Sequence, residues 1–185
     1  MALTKTPVCD FGKKAEDFKL KSINNKVITL NDIRGEKATL IMFICNHCPY
    51  VKAIIKDLAR DCNELKKYGI NSVAIMSNDT KNYPEDSFEN MIDFADKNNF
   101  GEVDYLFDDT QEIAKKYGAV CTPDFFGYNK DLSLQYRGRF RELKDLKPIN
   151  NGDSDLKIAM KLVAQTQKGP DQQIPSMGCN IKWFN

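Results

Sequence analysis

The feature that most constrains this chain is an apolar run that leads into two closely spaced cysteines and then into an amphipathic helix. Residues 38–44 are mostly apolar, which favours a buried strand. Cys48 precedes Pro49, a residue that suits the first helical turn because its missing N–H would have no partner there. Apolar side chains then recur at helical spacing from Val51 to Leu65. The sequence therefore predicts a strand-to-helix junction that carries both cysteines.

Strands and helices alternate along the rest of the chain, which predicts an α/β fold. Residues 15–20 and 26–30 form an N-terminal β-hairpin in this interpretation, with Asn24-Asn25 in its turn. Asp109 and Glu112 have the spacing of a capping box, and Ser154 is placed to cap the last helix. Further strands are predicted at 71–77, 105–107, 124–129 and 134–138, and further helices at 51–65, 88–95, 109–117 and after residue 154.

The last residues, 170–185, fit no regular element, but they carry several apolar side chains, including Ile181 and the only tryptophan, Trp183. Such side chains need apolar partners, so we expect this C-terminal tail to dock on the body of the protein. No repeat and no linker divides the sequence. We therefore expect a single domain over residues 1–185.

The composition is that of an ordinary soluble globular protein, with 42% hydrophobic and 29% charged residues in a chain of 185. The net charge of +1 gives no electrostatic reason to expect nucleic acid or a membrane as partner. The basic stretch 137–141 is interpreted as a solvated strand end because acidic residues follow it. No secretory signal is recognisable at the N-terminus. We expect a cytoplasmic protein with reduced cysteines.

The chemistry that this junction favours is that of a reactive dithiol. The positive end of a helix dipole stabilises a thiolate, and His47, the only histidine, lies between Cys45 and Cys48. An imidazole there would stabilise a thiolate further. We expect Cys45 to be the more exposed and more acidic sulfur, which attacks a substrate disulfide. Cys48 would then resolve the mixed disulfide.

Three alternatives stay open on the residues alone. Cys45 and Cys48 could be two buried apolar side chains, since cysteine is often buried. His47 could be a solvated loop residue without a role. Zinc is the third alternative, because Cys45 and Cys48 could supply half of a tetrahedral site completed by Cys121 and Cys179.

Residues 43–51, FICNHCPYV, resemble the thioredoxin-like superfamily, and most of all its peroxiredoxin-like members of the alkyl hydroperoxide reductase/thiol-specific antioxidant type. The resemblance implies a thioredoxin-like fold, a central sheet flanked by helices with the dithiol at one helix N-terminus. It also implies a cis peptide bond at Pro123 and a substrate segment paired with the backbone at Thr122, just before that proline. Further matching segments are 12–18, 30–35, 77–79, 83–87, 121–126 and 178–183.

The sequence departs from the peroxiredoxin pattern at two places. The peroxidatic cysteine would align with Cys48, but the threonine usual three residues earlier is replaced by Cys45. The matching arginine is also missing, since Cys121, Thr122 and Pro123 occupy that stretch. These departures favour disulfide exchange over peroxide reduction.

The sequence thus predicts a thiol–disulfide oxidoreductase acting on protein or small-molecule disulfides through a mixed disulfide, without a cofactor or metal. A reductase or glutathione would supply the electrons. Cys121 is expected near the dithiol through the Pro123 loop, and Cys121 with Cys179 is considered as an auxiliary redox pair. The alternatives are a thiol peroxidase and a non-enzymatic module, either zinc-stapled or a binding scaffold.

Overall fold

The computed structural model of the protein describes residues 3–184. Two short 3-10 helices lie at Lys66–Tyr68 and Pro84–Asp86. The strands are β1 (Leu3–Lys5), β2 (Lys19–Ser22), β3 (Val27–Thr29), β4 (Ala38–Phe43), β5 (Ile70–Met76), β6 (Asp104–Phe107), β7 (Cys121–Thr122), β8 (Asp124–Asn129), β9 (Leu134–Tyr136), β10 (Leu143–Lys144), β11 (Lys147–Pro148) and β12 (Met177–Asn180). The helices are α1 (Pro49–Leu65), α2 (Phe88–Lys97), α3 (Glu112–Tyr117) and α4 (Asp155–Thr166).

The central sheet has seven strands in the order β3-β2-β6-β5-β4-β8-β9. The inner strand β4 is parallel to β5 and antiparallel to β8, and the β2–β3 hairpin forms one edge. The structure therefore confirms the predicted α/β fold with a mixed sheet, flanking helices and an N-terminal β-hairpin. All six residues of β4 are buried, as expected for a strand covered on both faces.

Alternate residues of β4 enter the two hydrophobic clusters on opposite faces of the sheet. Leu40 and Met42 belong to the cluster that includes the apolar sides of α1 and α4. Ile41 and Phe43 belong to the other, where the ring of Phe43 lies 5.6 Å from that of Tyr117 on α3. This alternation follows from the period of two in a strand. It fixes the direction in which the chain leaves β4 toward α1.

The helix ends agree with the predicted signals at α4 but not at α3. The hydroxyl of Ser154 accepts from the N–H of Lys157 at 3.1 Å, which confirms the predicted cap of α4. At α3 the predicted capping box of Asp109 is wrong. The carboxylate of Asp108 accepts from the N–H groups of Ile113 and Ala114 instead, because the chain turns through a left-handed residue before the helix begins.

The C-terminal tail docks by strand pairing. Strand β12 lies between β1 and β7 in a three-stranded antiparallel sheet. Beyond it Ile181 is buried, and the N–H of Lys182 donates to Asn78 Oδ1 at 2.9 Å. Trp183, however, is 38% exposed with the amine of Lys115 near its ring. The prediction that the tail docks is confirmed. The argument that burial of Trp183 drives the docking is wrong, because strand pairing and the buried Ile181 hold the tail.

The basic stretch 137–141 is not the solvated strand end that its composition indicates. Arg137 and Arg141 are buried. The guanidinium of Arg137 lies 3.1 Å from a carboxylate oxygen of Asp124 and 4.3 Å from the ring of Phe126. Burial raises the pKa of Asp124 to about 6, against the opposing effect of Arg137. The positive charge of Arg137 is therefore neutralised by an internal ion pair with Asp124.

None of the helices between residues 3 and 184 combines the length and the hydrophobicity that a membrane span requires.

Candidate active site

Both cysteines of the 45–48 motif lie where β4 passes into α1. Cys45 follows the strand by two residues, and Cys48 is the N-cap residue of α1, with Pro49 in the first turn. The first turn of α1 follows directly, so the sulfur of Cys48 lies at the N-terminus of the helix. Cys45 and Cys48 are 1% and 0% exposed. Both cysteines are therefore buried, and exposure does not set Cys45 apart from Cys48 as the prediction expected.

Thr122 contacts both sulfurs from the facing loop. Its Oγ1 lies 3.2 Å from Cys45 Sγ, and the thiol of Cys48 donates to its carbonyl oxygen at 3.2 Å. The peptide bond from Thr122 to Pro123 is cis, as the resemblance implies. Thr122 thus holds the two sulfurs side by side at the helix N-terminus.

The two thiols have opposite shifts in pKa. The hydrogen bond from the Cys45 thiol, opposed by burial, lowers the pKa of Cys48 to about 5, with further donation by the N–H groups of Val51 and Cys179. The same hydrogen bond to Cys48, together with burial and the charge of Asp86, raises the pKa of Cys45 well above its ordinary value. These directions are the reverse of the predicted order, in which Cys45 is the more acidic thiol. Cys48 is the N-cap residue of α1, at the positive end of the helix dipole.

His47 is anchored by a carboxylate that the sequence analysis did not single out. Its Nδ1 lies 2.7 Å from Oδ2 of Asp86, a residue of the Pro84–Asp86 turn with no exposed surface. This hydrogen bond raises the pKa of His47, outweighing the effect of burial. The ring also stacks on Tyr83 with 5.6 Å between centroids. The interpretation of His47 as a solvated loop residue is thus excluded by these contacts.

Asp86 is the centre of a buried hydrogen-bond network. Oδ1 accepts from the N–H groups of Asn46 and His47, and Oδ2 accepts from the side-chain amide of Asn78 as well as from the imidazole. Burial alone would raise the pKa of Asp86, but the hydrogen bonds from His47 and Asn78 hold it below its ordinary value. Asp86 therefore carries a negative charge that fixes the 45–48 loop from beneath. No local sequence pattern reveals this contact, which spans 39 residues.

The remaining two candidate cysteines lie on neighbouring strands. Cys179 on β12 pairs with Thr122 on β7, and Asn180 pairs with Cys121. Directly paired residues share a face and consecutive residues alternate, so the side chains of Cys121 and Cys179 point to opposite faces. Cys179 projects to the face on which the Thr122 hydroxyl contacts Cys45, and it belongs to the same buried cluster as Cys45 and Cys48. Such diverging side chains disfavour a direct disulfide between Cys121 and Cys179, so the expected auxiliary pair is not supported by this geometry.

The backbone edge at Thr122, which the resemblance assigns to a substrate segment, is occupied by the chain itself. Strand β12 fills it, with Cys179 opposite Thr122. A cavity of about 440 Å³ opens on the other side of Pro123. Its lining combines apolar side chains of Tyr50, Ile54 and Phe140 with cationic ones such as Arg139. An extended substrate could therefore pair with Thr122 only after β12 leaves.

The metal ligands that this geometry offers are not those of the zinc alternative. In the described part of the chain, Cys45, His47 and Asp86 place one potential ligand atom each within 4.8 Å of one another. Both oxygens of Asp86 already accept hydrogen bonds, and Cys121 points away from the other cysteines. The four-cysteine site considered from the sequence is therefore not assembled.

A mixed sheet in which an inner strand leads into a dithiol at a helix N-terminus, faced by a cis proline, defines a thioredoxin-like protein. The chain belongs to the AhpC/TSA family, whose model matches residues 11–140. This assignment places it among the thioredoxin-like thiol–disulfide oxidoreductases and peroxiredoxin-like proteins.

Solved structures extend the likeness beyond residues 11–140. An uncharacterized conserved protein from Geobacillus kaustophilus has 39% sequence identity and a TM-score of 0.94, covering 100% of this chain and 97% of its own. A hypothetical protein from Sinorhizobium meliloti has 36% identity and a TM-score of 0.90, with 98% of each chain covered. The thioredoxin domain of a thiol-disulfide oxidoreductase from Bacteroides vulgatus has 15% identity and a TM-score of 0.58, covering 69% and 86%. No curated protein matches the chain.

Proposed function

We propose that the protein is a thiol–disulfide oxidoreductase that works through the Cys45–Cys48 dithiol and a mixed-disulfide intermediate. The observation that carries this proposal is the pair of unequal thiols held together by Thr122 at 3.2 Å from each sulfur. The hydrogen bond from the Cys45 thiol lowers the pKa of Cys48, so Cys48 is the thiol that ionises more readily. The Cys45 thiol, whose pKa is raised, stays protonated until the resolving step. A two-step exchange requires one thiol of each kind.

In this proposal Cys48 attacks and Cys45 resolves, the reverse of the prediction, because the pKa of Cys48 is lowered and that of Cys45 is raised. The thiolate of Cys48 attacks one sulfur of a substrate disulfide, forms a mixed disulfide and releases the other substrate sulfur as a thiolate. Cys45 then loses its proton and attacks the Cys48 sulfur. The second substrate thiol leaves, and an internal Cys45–Cys48 disulfide remains.

His47 and Asp86 supply a proton acceptor for the resolving step. A nitrogen of His47 and an oxygen of Asp86 both lie within 4.8 Å of Cys45 Sγ. The negative charge of Asp86 raises the pKa of the Cys45 thiol and keeps the imidazole basic through the hydrogen bond at 2.7 Å. A proton that leaves Cys45 can therefore move onto this pair within one step.

The substrates in this proposal are protein or small-molecule disulfides, and a reductase or glutathione returns the electrons. A reducing compartment such as the cytoplasm would keep the dithiol in its active form. The reaction needs no cofactor and no metal, because both reacting groups are sulfurs of the chain.

The test is the reaction of the reduced protein with glutathione disulfide, followed by mapping of the disulfides by mass spectrometry. We expect an internal Cys45–Cys48 disulfide in the wild type and no such product in Cys48→Ser. Cys62→Ser is the matched control, because burial raises the pKa of the Cys62 thiol to about 12 and keeps it out of the reaction. A wild-type protein that forms no Cys45–Cys48 disulfide would contradict the proposal.

Peroxide reduction is the second candidate function, favoured by the position of Cys48 as the N-cap of α1 with a lowered pKa. Its thiolate would be oxidised by a hydroperoxide to a sulfenic acid, which Cys45 then converts to the same disulfide with release of water. Consumption of hydrogen peroxide by purified protein with a dithiol reductant tests this directly. A rate no higher than that of Cys48→Ser would exclude the peroxidase.

A further inference from the structure

A third sulfur lies at the dithiol. Strand β12 places Cys179 opposite Thr122, whose carbonyl oxygen accepts from the Cys48 thiol at 3.2 Å. Cys179 is 4% exposed and belongs to the same buried cluster as Cys45 and Cys48. The register is tight, because a side chain at Gly178 would collide with the carbonyl oxygen of Thr122. The glycine thus lets β12 approach the Thr122 edge closely enough to present Cys179.

The direction of the Cys179 side chain is fixed by its pairing. Cys179 faces Thr122 across the two strands, and directly paired residues project to the same face. The Thr122 side chain projects toward Cys45, with its oxygen 3.2 Å from that sulfur. Cys179 must therefore project toward the dithiol, whereas Cys121 projects to the other face.

We propose that Cys179 is a third redox-active thiol, which exchanges the internal Cys45–Cys48 disulfide for a Cys48–Cys179 disulfide. The proposal rests on the dithiol function proposed above. In the exchange, Cys179 loses its proton and attacks Cys48, the bond between Cys45 and Cys48 breaks, and Cys45 leaves as a thiolate that takes up the proton. The number of disulfides and electrons is unchanged, so no external oxidant enters this step.

Oxidation of Cys48 itself makes this attack easier. In the reduced protein, burial, the hydrogen bond to Cys48 and the charge of Cys48 raise the pKa of Cys179 to about 12. The last two causes vanish once Cys48 is part of a disulfide, because that sulfur then carries no negative charge. The pKa of Cys179 therefore falls when Cys48 becomes its target.

The exchange would also change access to the site. A Cys48–Cys179 disulfide fastens β12 covalently to the start of α1, over the Thr122 edge where it already pairs. An extended substrate would then be unable to reach that edge. Reduction of this disulfide would release both the sulfur of Cys48 and the strand that covers it.

The test uses Cys45→Ser, which removes the first resolving thiol. After addition of glutathione disulfide, we expect glutathione on Cys48 to be displaced by Cys179, so that the Cys48–Cys179 disulfide becomes the main product. In Cys45→Ser/Cys179→Ser the glutathione adduct on Cys48 should live at least tenfold longer. Cys45→Ser/Cys121→Ser is the matched control and should still form the Cys48–Cys179 disulfide.

The possible outcomes separate the two proposals. A stable glutathione adduct on Cys48 in Cys45→Ser would overturn the role of Cys179 while leaving the dithiol function intact. Loss of the new disulfide in the Cys121→Ser background would overturn it as well. Absence of any adduct on Cys48, with no Cys45–Cys48 disulfide in the wild type, would contradict the dithiol function itself. If Cys45→Ser does not fold, the wild type is equilibrated in glutathione buffer instead. Mass spectrometry must then detect the pair of peptides joined by the Cys48–Cys179 disulfide, and its absence would overturn the proposal.

Discussion

The imidazole of His47 and the carboxylate of Asp86 meet at 2.7 Å beneath the dithiol, although 39 residues separate them in the chain. The Asp86 side chain is fully buried, and that of His47 is 14% exposed. The contact ties the 45–48 loop to the Pro84–Asp86 turn and places an imidazole and a carboxylate near the Cys45 sulfur. Both the orientation of the loop and the proton balance of Cys45 therefore depend on it.

Asp86→Asn should lower the pKa of His47 toward its ordinary value, because the hydrogen bond to the carboxylate raises it. The protein has one histidine, so an NMR titration of its ring reports this site alone. A pKa that stays where the wild type has it would show that Asp86 does not control the imidazole. Asp93→Asn, at a carboxylate 67% exposed on α2, is the matched control and should leave the titration unchanged.

The same pair should make stability depend on pH in a defined window. The pKa of His47 is raised in the folded state, so its stabilising contribution is present below the unfolded value of ~6.5 and is lost as pH rises through the folded value. The pKa of Asp86 is lowered, so its contribution is present above ~3.9 and is lost in acid. In urea unfolding, the free energy of unfolding of Asp86→Asn should therefore fall furthest below that of the wild type at about pH 5 to 6.

Thr122→Val should raise the pKa of Cys45 further, because the Thr122 hydroxyl lowers it through the contact at 3.2 Å. Thr122→Ser keeps the hydroxyl and is the matched control. The rate at which Cys45 resolves a glutathione adduct on Cys48 measures the effect, and it should be slower in Thr122→Val at neutral pH. Equal rates in the two variants would show that the hydroxyl has no part in the exchange.

Arg137→Gln should destabilise the protein by about 3–5 kcal/mol, because it leaves the buried carboxylate of Asp124 without its ionic partner. The two side chains are 3% and 0% exposed. Arg60→Gln breaks an ion pair whose arginine is 60% exposed, and its loss should be much smaller. Denaturant unfolding of both variants gives the comparison. Similar losses would argue against the assigned role of the buried pair.

Ser154→Ala should cost about 1–3 kcal/mol, since it removes the cap of α4 and a buried hydrogen bond together. The Ser154 hydroxyl accepts from Lys157 and donates to Asp61 Oδ2 at 2.8 Å. Ser87→Ala removes only the cap of α2, formed with the N–H of Asn90, and should cost less. A larger loss for Ser87→Ala in thermal or urea unfolding would contradict this account of Ser154.

Local sequence patterns sufficed for much of the fold and for the position of the dithiol. The apolar run of 38–44 and the helical period from Val51 to Leu65 are strong signals, and Ser154 is a recognisable cap. The cis bond at Pro123 followed from the resemblance. These features depend on residues close together in the chain, where spacing carries the information.

The contacts that define the site are long-range, and spacing does not reveal them. Asp86 contacts His47, although 39 residues separate them in the chain. Strand β12, near the C-terminus, pairs with β7, which lies more than 50 residues earlier. The lowered pKa of Cys48 also depends on a residue distant in the chain, since the N–H of Cys179 contributes to it. Burial of Arg137 against Asp124 was missed because a basic stretch usually lies in solvent.

The central claim is that Cys48 is the thiolate of the dithiol, and its ultraviolet absorbance against pH tests this most directly. In the reduced wild type we expect a thiolate that forms at about pH 5. In Cys45→Ser the thiolate should still form, at a somewhat higher pH, and in Cys48→Ser it should be lost. The shift in Cys45→Ser reflects the changed hydrogen bond to Cys48. A thiolate that persists near pH 5 in Cys48→Ser but disappears in Cys45→Ser would contradict the account.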